Sequence, residues 1–250
     1  MQALRVEQDG DLLRVTLARP ERRNAFDADL IAELTGAFTD VGADVRVALL
    51  AGEGTSFCAG ADVEWQRASI DLTLEENVED ALRLQRMLEA VDSCPAPLVA
   101  RVQGYALGGG SGLVACADIV VASPDATFGF TEARLGIIPA VISPFVLAKI
   151  GPGAARRLFV TGSRFDAETA LRIGLVHEIA DDLDAAVERA VAEILRCGPE
   201  ATREAKRLVR RPTTDGGELA RLAARLRAGR EGQEGLRAFL EKREPSWLAD

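Results

Sequence analysis

Two glycine-rich segments carry the most chemistry in this chain. Residues 56–63 read SFCAGADV and residues 104–113 read GYALGGGSGL, and each follows an apolar run. Glycine lets main chain approach a ligand closely and lets successive N–H groups aim at one point. The second segment runs on into GLVACA, the start of a helix, whose dipole favours negative charge at its N-terminus. One donor from each of two loops makes an oxyanion hole, the arrangement that stabilises a thioester enolate. Either loop alone is as well explained by close helix–strand packing.

Other machinery is poorly represented. The single histidine, His177 in GLVHEI, would have to be the base of any Ser-His-Asp hydrolase. The best serine, Ser111 in GGGSGL, fails the G-x-S-x-G pattern because Leu113 takes the last position. His177 therefore reads as a surface or strand-end residue. Cysteines 58, 94, 116 and 197 contain no C-x-x-C pair, and one histidine cannot complete a Cys/His zinc site. They read as reduced core thiols, and no metal is expected. Gly110, Gly112 and Ala115 match G-x-G-x-x-A, with Glu132 twenty residues beyond Gly112, a superficial dinucleotide fingerprint. Against it, GYALGG separates the strand from the motif, and a loop, SPDATFGFTE, intervenes before the acid.

The elements that position these loops are those of an α/β protein. LLRVTLAR (12–19) alternates as a strand does. Asp27 or Asp29 can cap a helix that puts Leu30, Ile31, Leu34 and Phe38 on one face. VRVALLAG (45–52), PLVARVQGYAL (97–107) and DIVVAS (118–123) read as further, buried strands. Beyond about residue 184 the chain is charged, helical and strand-free. Leu219, Leu222, Ala223 and Leu226 form an apolar stripe that needs a partner surface. The basic group Arg203, Lys206, Arg207, Arg210 and Arg211 reads as a solvated helix face.

Composition excludes several classes. At 250 residues and 48% apolar the chain can bury a full core. A net charge of −9 and 5% aromatics argue against a nucleic-acid partner. The longest run free of Asp, Glu, Lys and Arg, Val102–Ala117, spans 16 residues and includes five glycines, too short for a membrane span. The first residues, MQALRVEQDGD, lack the apolar core of a signal peptide, so the expected location is the cytoplasm.

SFCAGADV, GYALGGGSGLVACADIVVAS, ATFGFTEARLGIIP and TGSRFDAETALRIGLVHEI together resemble the crotonase (enoyl-CoA hydratase/isomerase) superfamily, a likeness that runs from RPERRNAFD to FLEKREPSW. The resemblance implies a spiral of ββα turns over residues 1–195 and a helical trimerisation region over 196–250, assembled as a homotrimer or a dimer of trimers. It implies an acyl-CoA substrate, with coenzyme A as part of that substrate and no separate cofactor. By motif position the oxyanion donors are the N–H groups of Ala61 and Gly109. Ala59, Asp62 and Val63 line the CoA path, Arg23 meets CoA phosphates, and Phe239 and Lys242 reach CoA from a neighbouring subunit.

The family's hydratases carry one glutamate two residues after the glycine triplet and another twenty residues later. This chain has Gly112 at the first position and Glu132 at the second. Glu132 is thus the implied general acid/base, its pKa raised by Phe128, Phe130 and Ile137. A lone carboxylate favours a 3-enoyl to 2-enoyl-CoA isomerase. Pro139–Phe145, where a glycine-rich run is usual, resembles instead the bacterial methylglutaconyl-CoA hydratase branch, and hydration is the leading expectation. A distal carboxylate on the substrate would need a cation, from Arg67 or Arg134. Glu64 stands where a CoA-side lysine is often found, and Glu75 or Glu76, in a mobile-looking 66–80 segment, could replace the missing acid. A non-catalytic acyl-CoA-binding scaffold is the alternative of another class.

Overall fold

The computed structural model describes residues 3–248. In chain order the elements are β1 (Leu4–Asp9), β2 (Leu12–Leu17), α1 (Ala28–Thr39), β3 (Val47–Gly52), α2 (Val63–Ala68), α3 (Leu74–Asp92), β4 (Leu98–Val102), β5 (Tyr105–Leu107), α4 (Gly109–Cys116), β6 (Ile119–Ala122), β7 (Thr127–Gly129), α5 (Ser143–Thr161), β8 (Arg164–Asp166), α6 (Ala167–Arg172), β9 (Glu178–Ile179), α7 (Leu183–Leu195), α8 (Pro199–Arg210), α9 (Gly216–Ala228) and α10 (Arg230–Glu241). Six strands form a sheet in the order β1-β2-β3-β4-β6-β9, and β5-β7-β8 form a second, smaller one. Apart from the β1–β2 hairpin, the large sheet is parallel.

Parallel strands covered on both faces need apolar residues at every position, which is why VALLAG carries no polar alternation. Val47, Leu49, Val99 and Val121 point to one face, against Leu183, Ala186 and Val187 of α7. Ala48, Leu50, Leu98, Ala100 and Val120 point to the other, where Leu30 and Leu34 of α1, Met87 and Leu88 of α3 and Leu113 of α4 close the main core. Asp27, not Asp29, caps α1, accepting from the Leu30 N–H at 2.9 Å.

Several expectations need correction. PLVARVQGYAL is not one strand. Gly104 has φ +55°, and a Cβ there would lie 2.0 Å from the Thr55 carbonyl, so the chain turns and β5 joins the other sheet. Much of the 66–80 segment is helical, with α2 ending at Ala68 and α3 starting at Leu74. Thr73 and Glu76 form a reciprocal capping box that starts the 19-residue α3. The basic face of α8 is not simply solvated. Lys206 is buried, 2.7 Å from Asp118 and 3.0 Å from the Ala96 carbonyl, and Arg203 donates to the Val45 carbonyl at 2.8 Å. These charges dock α8 on the sheet.

No helix of the described residues is long and apolar enough to cross a membrane. Cys58, Cys94 and Cys116 are buried, whereas Cys197 is exposed and so is not a core thiol. Burial pushes the Cys58 thiol up to about 12.

Candidate active site

The two glycine-rich loops are bolted together by main-chain hydrogen bonds. Cys58 donates to the Tyr105 carbonyl at 2.9 Å, and Leu107 donates back to the Cys58 carbonyl at 3.0 Å. That pairing requires Gly110, since a Cβ there would sit 2.4 Å from the Cys58 carbonyl oxygen. The first loop is braced by Asn24, which sequence reading missed. This buried residue donates to the carbonyls of Glu53 (2.9 Å) and Ser56 (2.8 Å) and accepts from the Arg19 N–H (2.9 Å). Ser111 is a brace as well: its hydroxyl donates to the Ala106 carbonyl at 2.6 Å, joining α4 to β5. His177 accepts from the Val120 N–H through Nδ1 at 2.9 Å, the strand-end role expected of it.

This frame sets two N–H groups free. Around Ala61 the loop pairs with Phe26 through Phe26 N–H to the Gly60 carbonyl (2.8 Å) and Asp62 N–H to the Phe26 carbonyl (2.7 Å). Neither bond uses the Ala61 N–H, which has no backbone acceptor among the described residues. Gly109 is the first residue of α4, so its N–H is one of the unpaired donors at a helix start. Both residues line one cleft of about 320 Å³, together with Ala59, Phe26, Trp65 and Leu84.

Glu132 lines the same cleft. It opens a short 3-10 turn after β7, and β7 is held beside β5 through Gly108 N–H to the Gly129 carbonyl at 2.8 Å. Gly108 has φ +51°, and a Cβ there would come within 3.3 Å of Glu132 Oε1, so glycine admits the carboxylate next to the donor loop. Glu132 Oε2 is buried and has no partner among the described residues. Burial lifts this carboxyl above the ordinary glutamate range, and a backbone N–H draws it partly back. Of the expected apolar neighbours, Phe128 and Phe130 pack with Phe159 and Phe165 in the core behind the turn, and Ile137 lines the cleft.

The vacancy at Gly112 has a physical reason. A Cβ there would lie 2.6 Å from Ile142 Cγ2 and 3.6 Å from Leu88 Cδ2. The space an acid would occupy is apolar and full. Gly112→Glu is therefore expected to leave turnover no higher than in the parent and to cost about 1–3 kcal/mol by overpacking alone. A thermal melt beside a turnover assay checks both. A gain in turnover at unchanged stability would contradict this account.

Other expected residues fall elsewhere. Asp62 and Val63 do not line the cleft. Asp62 is buried, caps α2 by accepting from the Glu64 N–H at 2.8 Å and pairs with Arg19 at 3.3 Å, while Val63 is 64% exposed. Arg23 lies outside the cleft, over the Tyr105 ring at 5.7 Å, and its carbonyl holds the Ala59 N–H at 3.0 Å. Phe239 is 80% exposed on α10, and Lys242 caps that helix in a left-handed conformation. Arg67 pairs with Glu64 at 2.9 Å on the surface and Arg134 packs on Gly162, and neither lines the cleft. Glu76 is consumed by the capping box, which holds its carboxyl below the ordinary range, and neither it nor Glu75 lines the cleft. The α3 wall of Asn77, Asp80, Ala81 and Leu84 was missed altogether, since only the fold turns those positions inward. No cluster of described residues could hold a metal ion.

The α/β scaffold thus brings two main-chain N–H groups and a half-buried carboxylate to one cleft. Comparison with known proteins gives its family. Residues 7–250 match the sequence model of the enoyl-CoA hydratase/isomerase family, and the chain belongs to that family. It is 36% identical to mevalonyl-coenzyme A hydratase of Aspergillus fumigatus, covering 94% of this chain and 91% of that one. It superposes on an enoyl-CoA hydratase from Shewanella pealeana with a TM-score of 0.90 at 38% identity, covering 98% and 96% of the two chains. Pseudomonas aeruginosa AtuE gives a TM-score of 0.92, also at 38% identity, over 98% and 99%.

Proposed function

We propose that the protein adds water across the C2=C3 double bond of a 2-enoyl-CoA thioester. The observation that carries this is the meeting, in one cleft, of two unspent N–H groups on stapled loops with a half-buried carboxylate whose Oε2 is buried without a partner. The Ala61 and Gly109 N–H groups hold the thioester oxygen. Water attacks C3 as Glu132 takes its proton, the charge moves through C2 onto that oxygen, and the proton then passes to C2. Hydratase names among the relatives support the reading. Incubation with crotonyl-CoA is expected to bleach the conjugated thioester absorbance, and no turnover of any 2-enoyl-CoA would refute the proposal.

The solitary carboxylate beside the donors favours a second reading, isomerisation, with Glu132 carrying a proton from C2 to C4. A 3-enoyl-CoA converted to a conjugated product, by protein that leaves crotonyl-CoA untouched, would select it. The 3-methylglutaconyl assignment fits less well, because it needs a cation that neither Arg67 nor Arg134 places in the cleft.

Residues 196–250 are proposed as the trimerisation region of a homotrimer or a dimer of trimers, in the cytoplasm. Leu236, Phe239 and Leu240 of α10 are 47–80% exposed, an apolar face that a second copy would cover. In that assembly Phe239 and Lys242 would reach a neighbour's CoA, with Arg23 at the rim near the phosphates.

A further inference from the structure

The cleft is lined by two ionisable side chains among the described residues, and both are acids. Glu132 stands beside Gly108 at the donor end. Asp80 stands on α3, in the wall it shares with Asn77, Ala81 and Leu84. Its side chain is 19% exposed, and the cation paired with it, Arg83 on the next turn, is 3.7 Å away, beyond hydrogen-bond length. The neutral groups of this wall lean the same way. Asn77 spends its Nδ2 hydrogens on the carbonyls of Leu72 (3.1 Å) and Thr73 (3.0 Å), which leaves its Oδ1 as an acceptor. Ser69, which lines the cleft ahead of α3, spends its hydroxyl hydrogen on the Gln66 carbonyl at 2.8 Å. An acyl chain that reaches the α3 wall thus meets acceptors and a negative charge.

We infer that Asp80 determines acyl specificity: it turns away chains that end in a carboxylate and admits uncharged chains, with a terminal hydroxyl received as a hydrogen-bond donor. The inference rests on the cleft being an acyl-CoA site, as proposed above. A carboxylate brought beside Asp80 would lose water and meet a like charge in a partly apolar cleft, where repulsion is stronger than in bulk water. Selectivity by repulsion needs no attractive contact to the favoured ligand. A hydroxyl-ended chain instead completes the free acceptor capacity of the wall.

Saturated thioesters test this without turnover. Matched acyl-CoAs of four and of six carbons, ending in methyl, hydroxyl or carboxylate, are titrated calorimetrically into the full chain and into D80N and D80K. The parent is expected to bind the uncharged members of at least one length about tenfold more tightly than the carboxylate, which is ~1.4 kcal/mol. D80N should shrink that preference to about threefold or less, and D80K should reverse it. Binding of coenzyme A itself should stay unchanged in both variants, which reports that they are folded. A parent indifferent to the terminal charge at both lengths, or a preference that D80N leaves intact, overturns the role of Asp80 alone. Failure of every acyl-CoA to bind the parent would overturn the reading of the cleft, and this inference with it.

Discussion

Glu132→Gln is expected to lower kcat by about 10²–10⁴-fold while leaving the affinity for a saturated acyl-CoA nearly unchanged. The substitution keeps the shape of the side chain but replaces a titratable carboxylate by a neutral amide that cannot take up a proton. The geometry makes it the sensitive position. Its Oε2 is buried without a partner, and a Cβ on residue 108 would crowd Oε1 at 3.3 Å. The pH profile gives an independent reading. Water can lose a proton only to an ionised carboxylate, and burial raises this carboxyl. Activity in the parent should therefore fall as the pH drops through a value above the ordinary glutamate range. The variant's residual activity should lack that acid limb. Stopped assays across pH, with ligand titration as the control for binding, decide the matter. Undiminished kcat in the variant would show that another group moves the proton.

Ala61→Pro is expected to reduce kcat by about 10²–10³-fold, the usual effect of losing one donor to a developing oxyanion. Proline deletes the N–H, and here the deletion breaks no structural bond, because the neighbouring pairing with Phe26 runs through the Gly60 carbonyl and the Asp62 N–H. Ala61→Val, which keeps the N–H, separates loss of the donor from crowding of the cleft. Near-parental kcat in the proline variant, with its melting temperature preserved, would remove Ala61 from the oxyanion hole. A loss shared equally by the valine variant would assign the effect to crowding.

Legibility in the sequence tracked the range of the forces involved. β2, β3, β6 and the cap of α1 were readable because alternation, apolar runs and an Asp cap are local signals. The two glycine-rich loops that line the cleft were readable because glycine spacing is local too. β1, β7 and β8 escaped, being short or half exposed and defined by their pairing rather than their composition. The break at Gly104 escaped because an apolar run does not say which sheet each half will join. In the site, Glu132 was found through a motif and its lifted pKa was anticipated from apolar neighbours. Asp80, Trp65 and Ile142 were not found, because α3 and the 139–142 stretch come to the cleft only by long-range packing. The ionic role of Lys206 and Arg203 was hidden for the same reason, their partners lying more than eighty residues away.

Both proposed oxyanion donors are main-chain groups, supplied by Ala61 and Gly109, whereas the proton-handling group is a side chain on a separate turn. Side-chain exchange rewrites the latter in one step but cannot erase an amide, proline excepted. Genetic drift in such a scaffold can thus retarget the reaction while the grip on the thioester persists, which makes the turn at 132–135 the economical place to begin when redesigning the chemistry and the stapled loops the part to leave alone.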